Sequence, residues 1–256
     1  MSWINGNEFF LFQEIVKKDF AAKYKESVLG ILWSILKPLF IMILLTIIFS
    51  TLFSPQIDNY PVYLLSARSL FSFFSVGTTA AMNSLKGNKN ILKRTPAPKY
   101  IFVLGSITSE FINFLITLVI LVVVMIVTNC TFNFTTIPLA IIPIISLLMM
   151  ITGVGLILSI VCVYYTDIKH LWSIVTLMIM YASAIFYPME IIPEPFHQFM
   201  ILNPMFWIID QFRNLVLWQT IPPLLNIINS LLLSAIILVL GIIVFKKYEK
   251  RVTMKF

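Results

Sequence analysis

The chain has 256 residues, 59% of them hydrophobic and only 11% charged, with a formal net charge of +7. A soluble domain carries roughly 25% charged residues, and several apolar runs here exceed the roughly 18 to 20 residues that cross a bilayer, which excludes a soluble protein with one oversized core. The runs are continuous rather than alternating, which excludes a membrane β-barrel, so the expected fold class is all-α integral membrane.

The first element is polar. From Phe9 to Tyr24, the residues Phe9, Phe12, Val16 and Phe20 recur at helical spacing while Glu14, Lys18 and Lys25 point elsewhere. This predicts an amphipathic helix lying in the interface plane. Asp19 and Lys23 sit at the edge of the stripe and make it imperfect. Residues 1–30 are expected to form this cytoplasmic interface segment and residues 31–256 the membrane domain. A signal peptide would place a short apolar stretch and a small-residue cleavage site after a short basic region. The first apolar run is too long for that and is expected to stay in the protein.

Six spans are expected: Ile31 to Phe53, Tyr60 to Leu85, Ile101 to Thr128, Ile137 to Tyr164, Leu171 to Tyr187 and Leu224 to Phe245. Sixteen of the 18 Lys and Arg fall at or before the start of the first span, between spans two and three, between four and five, or after the last. By the positive-inside rule both termini are cytoplasmic. The positive charge is therefore a topology signal rather than a sign of nucleic-acid binding. Cys130 and Cys162 fall at opposite membrane depths on this topology, which argues against a disulfide between them.

The inner loop Ser84 to Tyr100 carries five cations around a small apolar knob, Ile91 and Leu92, with Pro96 and Pro98 stiffening the return. It reads equally as an ordinary positive-inside loop. The inner turn Tyr164 to His170 contains Asp167, which is placed to cap the following helix. The outer stretch Pro188 to Leu215 is too apolar for a solvated loop and too broken by Pro193, Pro195 and Pro204 for one long helix. It is expected to form short re-entrant helices between spans five and six, acting as a lid or a gate. Asp210 and Arg213, three residues apart, read as a local ion pair.

Two charges, Arg68 and Glu110, fall deep within spans, whereas Lys37 lies near the headgroup end of the first. At about 1.5 Å per residue, Arg68 lies about 12 Å below the outer end of its span and Glu110 about 14 Å above the inner end of its own, so their depths nearly coincide. An Arg68–Glu110 pair would relieve the cost of two lone charges in lipid. Arg68 facing a pathway and a phosphate group, or snorkelling to the surface, are the competing readings. The rings of Phe71, Phe73, Phe74, Tyr181, Phe186 and Tyr187 are candidates to stack on sugars, although most aromatics in such a chain pack or face lipid.

Several motifs together carry a resemblance: KESVLGILWSILKPL (25–39), FSFFS (71–75), NILKRTPAPKYIFVL (90–104), SEFINFLI (109–116), VYYTDIKHL (163–171), FYPMEIIP (186–193) and LNPMFWIIDQFRNL (202–215). In this order and spacing the chain resembles the ABC-2-type exporter permeases, membrane subunits that move lipid-linked polysaccharides such as O-antigen, capsule or teichoic acid. It departs from their pattern at Ala67, Arg68 and Thr166. The resemblance implies a homodimer in a bacterial or archaeal cytoplasmic membrane, working with two copies of a separate P-loop ATPase. It assigns ATPase coupling to Lys18, Lys25, Ile91, Leu92, Arg94, Pro98 and Asp167, and an outer gate to Pro193, Pro195, Asn203 and Pro204. No cofactor is expected on this chain, and ATP and Mg would belong to the partner. Consistent with that, the sequence has no Gly-x-x-x-x-Gly-Lys-[Ser/Thr] phosphate loop.

Other classes fit less well. A secondary transporter or channel would cluster polar residues at the midplane and usually show repeats, and another ABC-2 exporter, of a lipid or drug, is the nearer alternative. A membrane enzyme would need a constellation of acids, histidines or a nucleophile with its base, whereas His170 and His197 fall on opposite sides.

Overall fold

The computed structural model describes residues 6–25, 28–53, 57, 59–94, 97–191, 193, 195, 200–252 and 255. Among these every regular element is helical. In chain order the α-helices are α1 (Gly6–Ala22), α2 (Trp33–Phe53), α3 (Tyr60–Gly87), α4 (Lys89–Arg94), α5 (Tyr100–Val127), α6 (Ile141–Tyr164), α7 (Ile168–Tyr181), α8 (Pro204–Val216) and α9 (Leu224–Val252). Short 3-10 turns at Gly30–Leu32 and Ile137–Ala140 lead into α2 and α6, so Pro138 and Pro143 fall in first turns, where a missing N–H costs nothing.

Among the described residues, four stretches are long and apolar enough to cross a membrane: Gly30–Ser50, Tyr100–Val127, Ile137–Tyr164 and Leu224–Val252. The other two expected spans differ from these in instructive ways. Helix α3 is as long, at 28 residues, but Arg68 and its many Ser and Thr dilute its apolar character. It is the central helix, packed by α2, α5, α6, α7 and α8, so protein rather than lipid surrounds most of it. Helix α7 has only 14 residues, about 21 Å of helix against a hydrocarbon core of about 30 Å. The expected span Leu171 to Tyr187 is thus helical only to Tyr181, and its last third is unwound.

Two contacts fix the bundle. Helices α6 and α9 cross with backbones touching: a Cβ added at Gly153 would lie 2.5 Å from the Ile237 carbonyl oxygen, and one at Gly241 would clash with Gly153 itself. Small residues permit this approach, which dispersion and the helix backbones then stabilise. Helix α1 lies against α5, with Ile15 in the notch over Gly105, where an added Cβ would sit 2.7 Å from its Cγ2. The buried face of α1 is therefore centred on Ile15, with Leu11, Phe12 and Asp19 beside it. This corrects the expected stripe, since Phe9 is exposed and only Phe12, Val16 and Phe20 are partly covered. The two charges that spoiled the stripe are bonds to α5: Asp19 accepts from the Ser106 hydroxyl at 2.6 Å, and Lys23 pairs with Glu110 at 2.7 Å.

Candidate functional site

The face of α3 that other helices leave uncovered is polar over most of its length. Arg68, Ser72, Ser75, Thr79, Asn83 and Lys86 follow one another at intervals of three or four residues, and each is exposed or partly exposed. Eighteen residue steps at about 1.5 Å each make a stripe about 27 Å long, which starts about 12 Å below the outer end of α3 and runs to its cytoplasmic end. Lipid has no partners for such groups, whereas a water-filled passage does. The opposite face of the same helix buries Leu70, Phe74, Ala81 and Leu85 completely. Single-residue inspection misses this stripe, but the 3.6-residue periodicity of Ser, Thr and Asn in the second span contains it.

At its outer half the stripe opens into a cleft between α2, α3 and α5. Two adjoining cavities of about 260 and 230 Å³ share Lys37, Pro38, Ser69, Ser72, Val76 and Thr117. One reaches Arg68, Phe71 and Ser75, the other Lys23, Ser34, Glu110 and Asn113. The expected Arg68–Glu110 pair does not form within the chain. The turn after α1 carries Lys23 to Glu110 first, and Asn113 adds a weak contact to the same carboxylate at 3.4 Å. Arg68 instead donates to the Met180 sulfur at 3.3 Å, a poor acceptor for a guanidinium. Lys37, one side of the cleft, is exposed. The site therefore offers two cations to an incoming group, while its one carboxylate is already neutralised.

The aromatic candidates separate. Phe73 stacks on Phe114 at 4.8 Å and lies near Phe111 at 5.7 Å, and Phe74 packs on Trp172 at 6.0 Å with no exposure at all. These two are core side chains, which corrects Phe74 as a stacking platform and leaves Phe73 only an edge in the cleft. Phe71 is nearly buried but lines the same cleft as Arg68. Tyr181 is 55% exposed and lies 6.2 Å from Phe186, which stacks on Phe49 at 6.0 Å. These rings form an aromatic group at the outer end of α2 and α7.

At the cytoplasmic end, three elements are tied together. Lys18 of α1 donates to the Asn88 side chain at 2.5 Å, immediately before α4. Lys86, at the end of α3, donates to Thr166 at 2.8 Å, in the turn before α7. The expected apolar knob is halved, because Leu92 is buried at 5% exposure while Ile91 is exposed. Helix α4 turns Leu92 inward and presents Ile91, Lys93 and Arg94 outward. Lys25 is exposed and Pro98 partly so, whereas Pro96 lies outside the described residues. Asp167 is exposed and precedes α7, but its side chain makes no capping bond. Its carbonyl accepts from His170 and Leu171 instead, so the expected capping role is not realised.

At the outer end, Arg213 is not the surface ion-pair partner its spacing suggested. It is buried and its guanidinium donates to the carbonyls of Ala184 and Ile185 at 2.8 Å each and to that of Tyr63 at 3.3 Å, with its carbon 3.4 Å from the centre of the Tyr63 ring. The acceptors belong to the unwound end of the fifth apolar segment, whose carbonyls have lost their helical partners. Others there are satisfied likewise: Phe186 by Tyr60 at 2.8 Å, Tyr187 by Tyr63 at 2.8 Å, Tyr181 by the Tyr187 hydroxyl and Ala182 by Asn203 at 3.2 Å. Asn203 also accepts from the Met205 amide at 3.0 Å, capping α8 just ahead of Pro204. Buried Gln211 bonds Ser230 and the Asn226 carbonyl, stitching α8 to α9. Pro193 and Pro195 are exposed, and most of the chain between them and Met200 lies outside the described residues.

A family model of the ABC-2 type transporter matches residues 10–217. The chain is 30% identical over 254 residues to an O-antigen export system permease protein RfbA of Klebsiella pneumoniae, covering 98% of this chain and 96% of that one. It is 20% identical over 212 residues to the protein of the same name in Myxococcus xanthus, covering 81% and 80%. The polysialic acid transport protein KpsM of Escherichia coli is 20% identical over 235 residues, 91% of each chain. The match runs from the interface helix, through the polar stripe, the cleft and the cytoplasmic platform, to the end of α8, and the chain belongs to the ABC-2 type transporter family.

Proposed function

We propose that this chain is the membrane subunit of an ATP-driven exporter that passes a lipid-linked polysaccharide outward across the cytoplasmic membrane of a bacterium or archaeon. The full-length similarity to O-antigen and polysialic acid permeases supports the substrate class. The observation that carries the route is the stripe from Arg68 to Lys86, a hydrophilic track about 27 Å long that runs from well inside the membrane to the cytoplasmic end of α3 on an apolar bundle. Two copies of the chain, each turning this stripe toward the other, would enclose a polar passage that neither encloses alone. In this reading α2, α3, α5, α6, α7 and α9 are the six spans, both termini are cytoplasmic, and residues 1–30 form the interface segment.

The chain's own groups supply positioning and electrostatics rather than covalent chemistry. Arg68 and Lys37 attract the phosphate that links lipid to glycan, at a depth where an unpaired cation gains most from an anion. The hydroxyls and amide of the stripe then exchange hydrogen bonds with successive sugars, each weak enough to release. Rings at the outer end of α2 and α7, Tyr181 and Phe186 among them, offer faces to pyranose rings. The unwound segment from Ala182, with Asn203, Pro204 and the stretch around Pro193 and Pro195, forms the outer gate.

Force enters from two copies of a separate P-loop ATPase, which holds the ATP and Mg. Its contact surface is Lys25, Ile91, Arg94, Pro98 and Asp167, with buried Leu92 and the bond from exposed Lys18 to Asn88 anchoring that surface. Because Lys18 ties α1 to the start of α4, and Lys86 ties α3 to the turn before α7, a push on any one element moves the others. Asp19, Lys23 and Ile15 carry the same motion into α5.

Purification of the carboxyl-terminally tagged chain from mild-detergent extracts of its own cells tests this reading. A P-loop ATPase at equal stoichiometry, lost on Ile91→Asp with membrane insertion intact, is the expected result. A correctly folded preparation without any ATPase would overturn it in favour of a channel or secondary transporter.

A further inference from the structure

A cavity larger than the cleft, lined by no residue of α3, lies elsewhere on the bundle. It is a groove of about 800 Å³ between the start of α5, α6 and the end of α9. Leu104, Thr152, Leu156, Leu238, Ile242 and Phe245 form its walls. Only Thr152 among these six is polar, and Ile242 is exposed, so a wide apolar channel stands open at the flank of the subunit. Exposed apolar surface alone fits ordinary contact with lipid tails; the mouth of the groove is what makes it specific.

Lys99, Lys246 and Lys250 surround that mouth, with Tyr100 and Glu249 beside them. Neither Lys246 nor Lys250, both exposed, makes an ion pair or hydrogen bond among the described residues, and the ammonium of Lys99 makes none either. Glu249 offsets one of the three charges, and Glu8, which is outside the lining and accepts from the Tyr100 hydroxyl at 3.5 Å, faces the same rim, so the mouth keeps a net positive charge. Along α9 the distance from Lys250 to Leu238 is twelve residues, about 18 Å, close to the half-thickness of about 15 Å of the hydrocarbon core. The groove thus spans one leaflet, cationic at headgroup level and apolar to the midplane. The basic residues that orient the chain place this mouth on the cytoplasmic side.

We infer that this groove binds one anionic phospholipid of the cytoplasmic leaflet, its phosphate held by Lys99, Lys246 and Lys250 and an acyl chain lying between α5, α6 and α9. Basic pockets between helices on the cytoplasmic side are suited to such headgroups, and long lysine side chains reach the phosphate plane while their stems stay in apolar surroundings. Leu92 and Pro98 also line the groove. The lipid therefore lies directly beneath α4 and stiffens the element that presents Ile91. This site is separate from the stripe and does not depend on what passes along it.

The test is native mass spectrometry of the full-length chain released from micelles containing equal amounts of phosphatidylglycerol and phosphatidylethanolamine. The wild-type chain is expected to retain phosphatidylglycerol at least tenfold over phosphatidylethanolamine. The combined Lys99→Gln, Lys246→Gln and Lys250→Gln variant is expected to lose that preference. A control neutralising Lys247, Arg251 and Lys255 instead is expected to keep it, and Ile242→Trp, which fills the groove from an exposed position, is expected to lower retention of both lipids. Equal retention of the two lipids by the wild-type chain, an unchanged preference in the triple variant, or equal loss in the control would each overturn the inference. The last of these would assign the effect to a diffuse basic tail.

Discussion

Two arginines lie within this bundle, and their surroundings differ in kind. Arg213 is buried with its guanidinium bonded to three carbonyl oxygens and laid over a tyrosine ring. Arg68 is partly exposed in a cleft and finds only a thioether. A buried cation whose donors are all engaged by backbone acts as architecture. A cation left with a soft, weak acceptor is available to a ligand. The contrast teaches that charge in a membrane protein is read from its partners rather than from its depth in the sequence.

Breaking the architectural arginine has the largest expected effect. Arg213→Gln leaves the Ala184, Ile185 and Tyr63 carbonyls short of donors in a dry site, at a cost of about 3 kcal/mol or more. Detergent-solubilised protein is expected to aggregate or melt well below wild type in a thermal-shift assay. Arg213→Lys is expected to rescue little, because one ammonium does not reproduce the planar fork.

Next in size is the crossing of α6 and α9. Gly153→Leu or Gly241→Leu pushes the helices apart and costs roughly 1–3 kcal/mol through overpacking, with both stability and assembly reduced. Changing Gly87 to Ala is the matched control, since a Cβ there meets nothing within 4 Å. Glu110→Gln follows. It removes the charge partner of Lys23 and is expected to cost about 1–2 kcal/mol, seen as faster proteolysis at the turn between α1 and α2. Asp167→Ala is the smallest, within about 0.5 kcal/mol, because the side chain caps nothing. If it lowers ATPase association without shifting Tm, it belongs to the partner surface.

A fifth prediction concerns the outer loop. Burial pushes the Cys130 thiol up from its ordinary range, so it is protonated at neutral pH. Its maleimide labelling in intact cells is expected to be slow at pH 7 and to accelerate toward pH 9, since only the thiolate attacks. Labelling from the cytoplasmic side alone would contradict the proposed orientation.

Much of the helical framework was legible from apolar runs, with α2, α3 and α5 starting and ending within two residues of the expected bounds. The end of α7 was not, because Leu171 to Tyr187 reads as continuous apolar sequence while its outer third depends on donors from α3 and α8, far away in the chain. Arg213 escaped for the same reason: its spacing from Asp210 is local, and its partners are 28 to 150 residues distant. The packing face of α1 was displaced from the phenylalanine stripe because Ile15 has a glycine notch to fill, and a notch on another helix leaves no mark in α1. The polar stripe was present in the sequence as a period of 3.6 in Ser, Thr and Asn. Each of its members is a weak signal alone, and only the period across all of them marks the face.

The most direct test sets the two arginines side by side. Arg68→Gln and Arg213→Gln are each introduced into the native cells, and both membrane-embedded protein and surface glycan are quantified. The account predicts that Arg68→Gln retains wild-type protein level and ATPase association while surface glycan falls about tenfold or more, as expected for loss of a phosphate contact worth about 1.4 kcal/mol or more. Arg213→Gln is predicted to lose the protein itself. Normal glycan export by Arg68→Gln would contradict the claim that the cleft beside α3 receives the substrate.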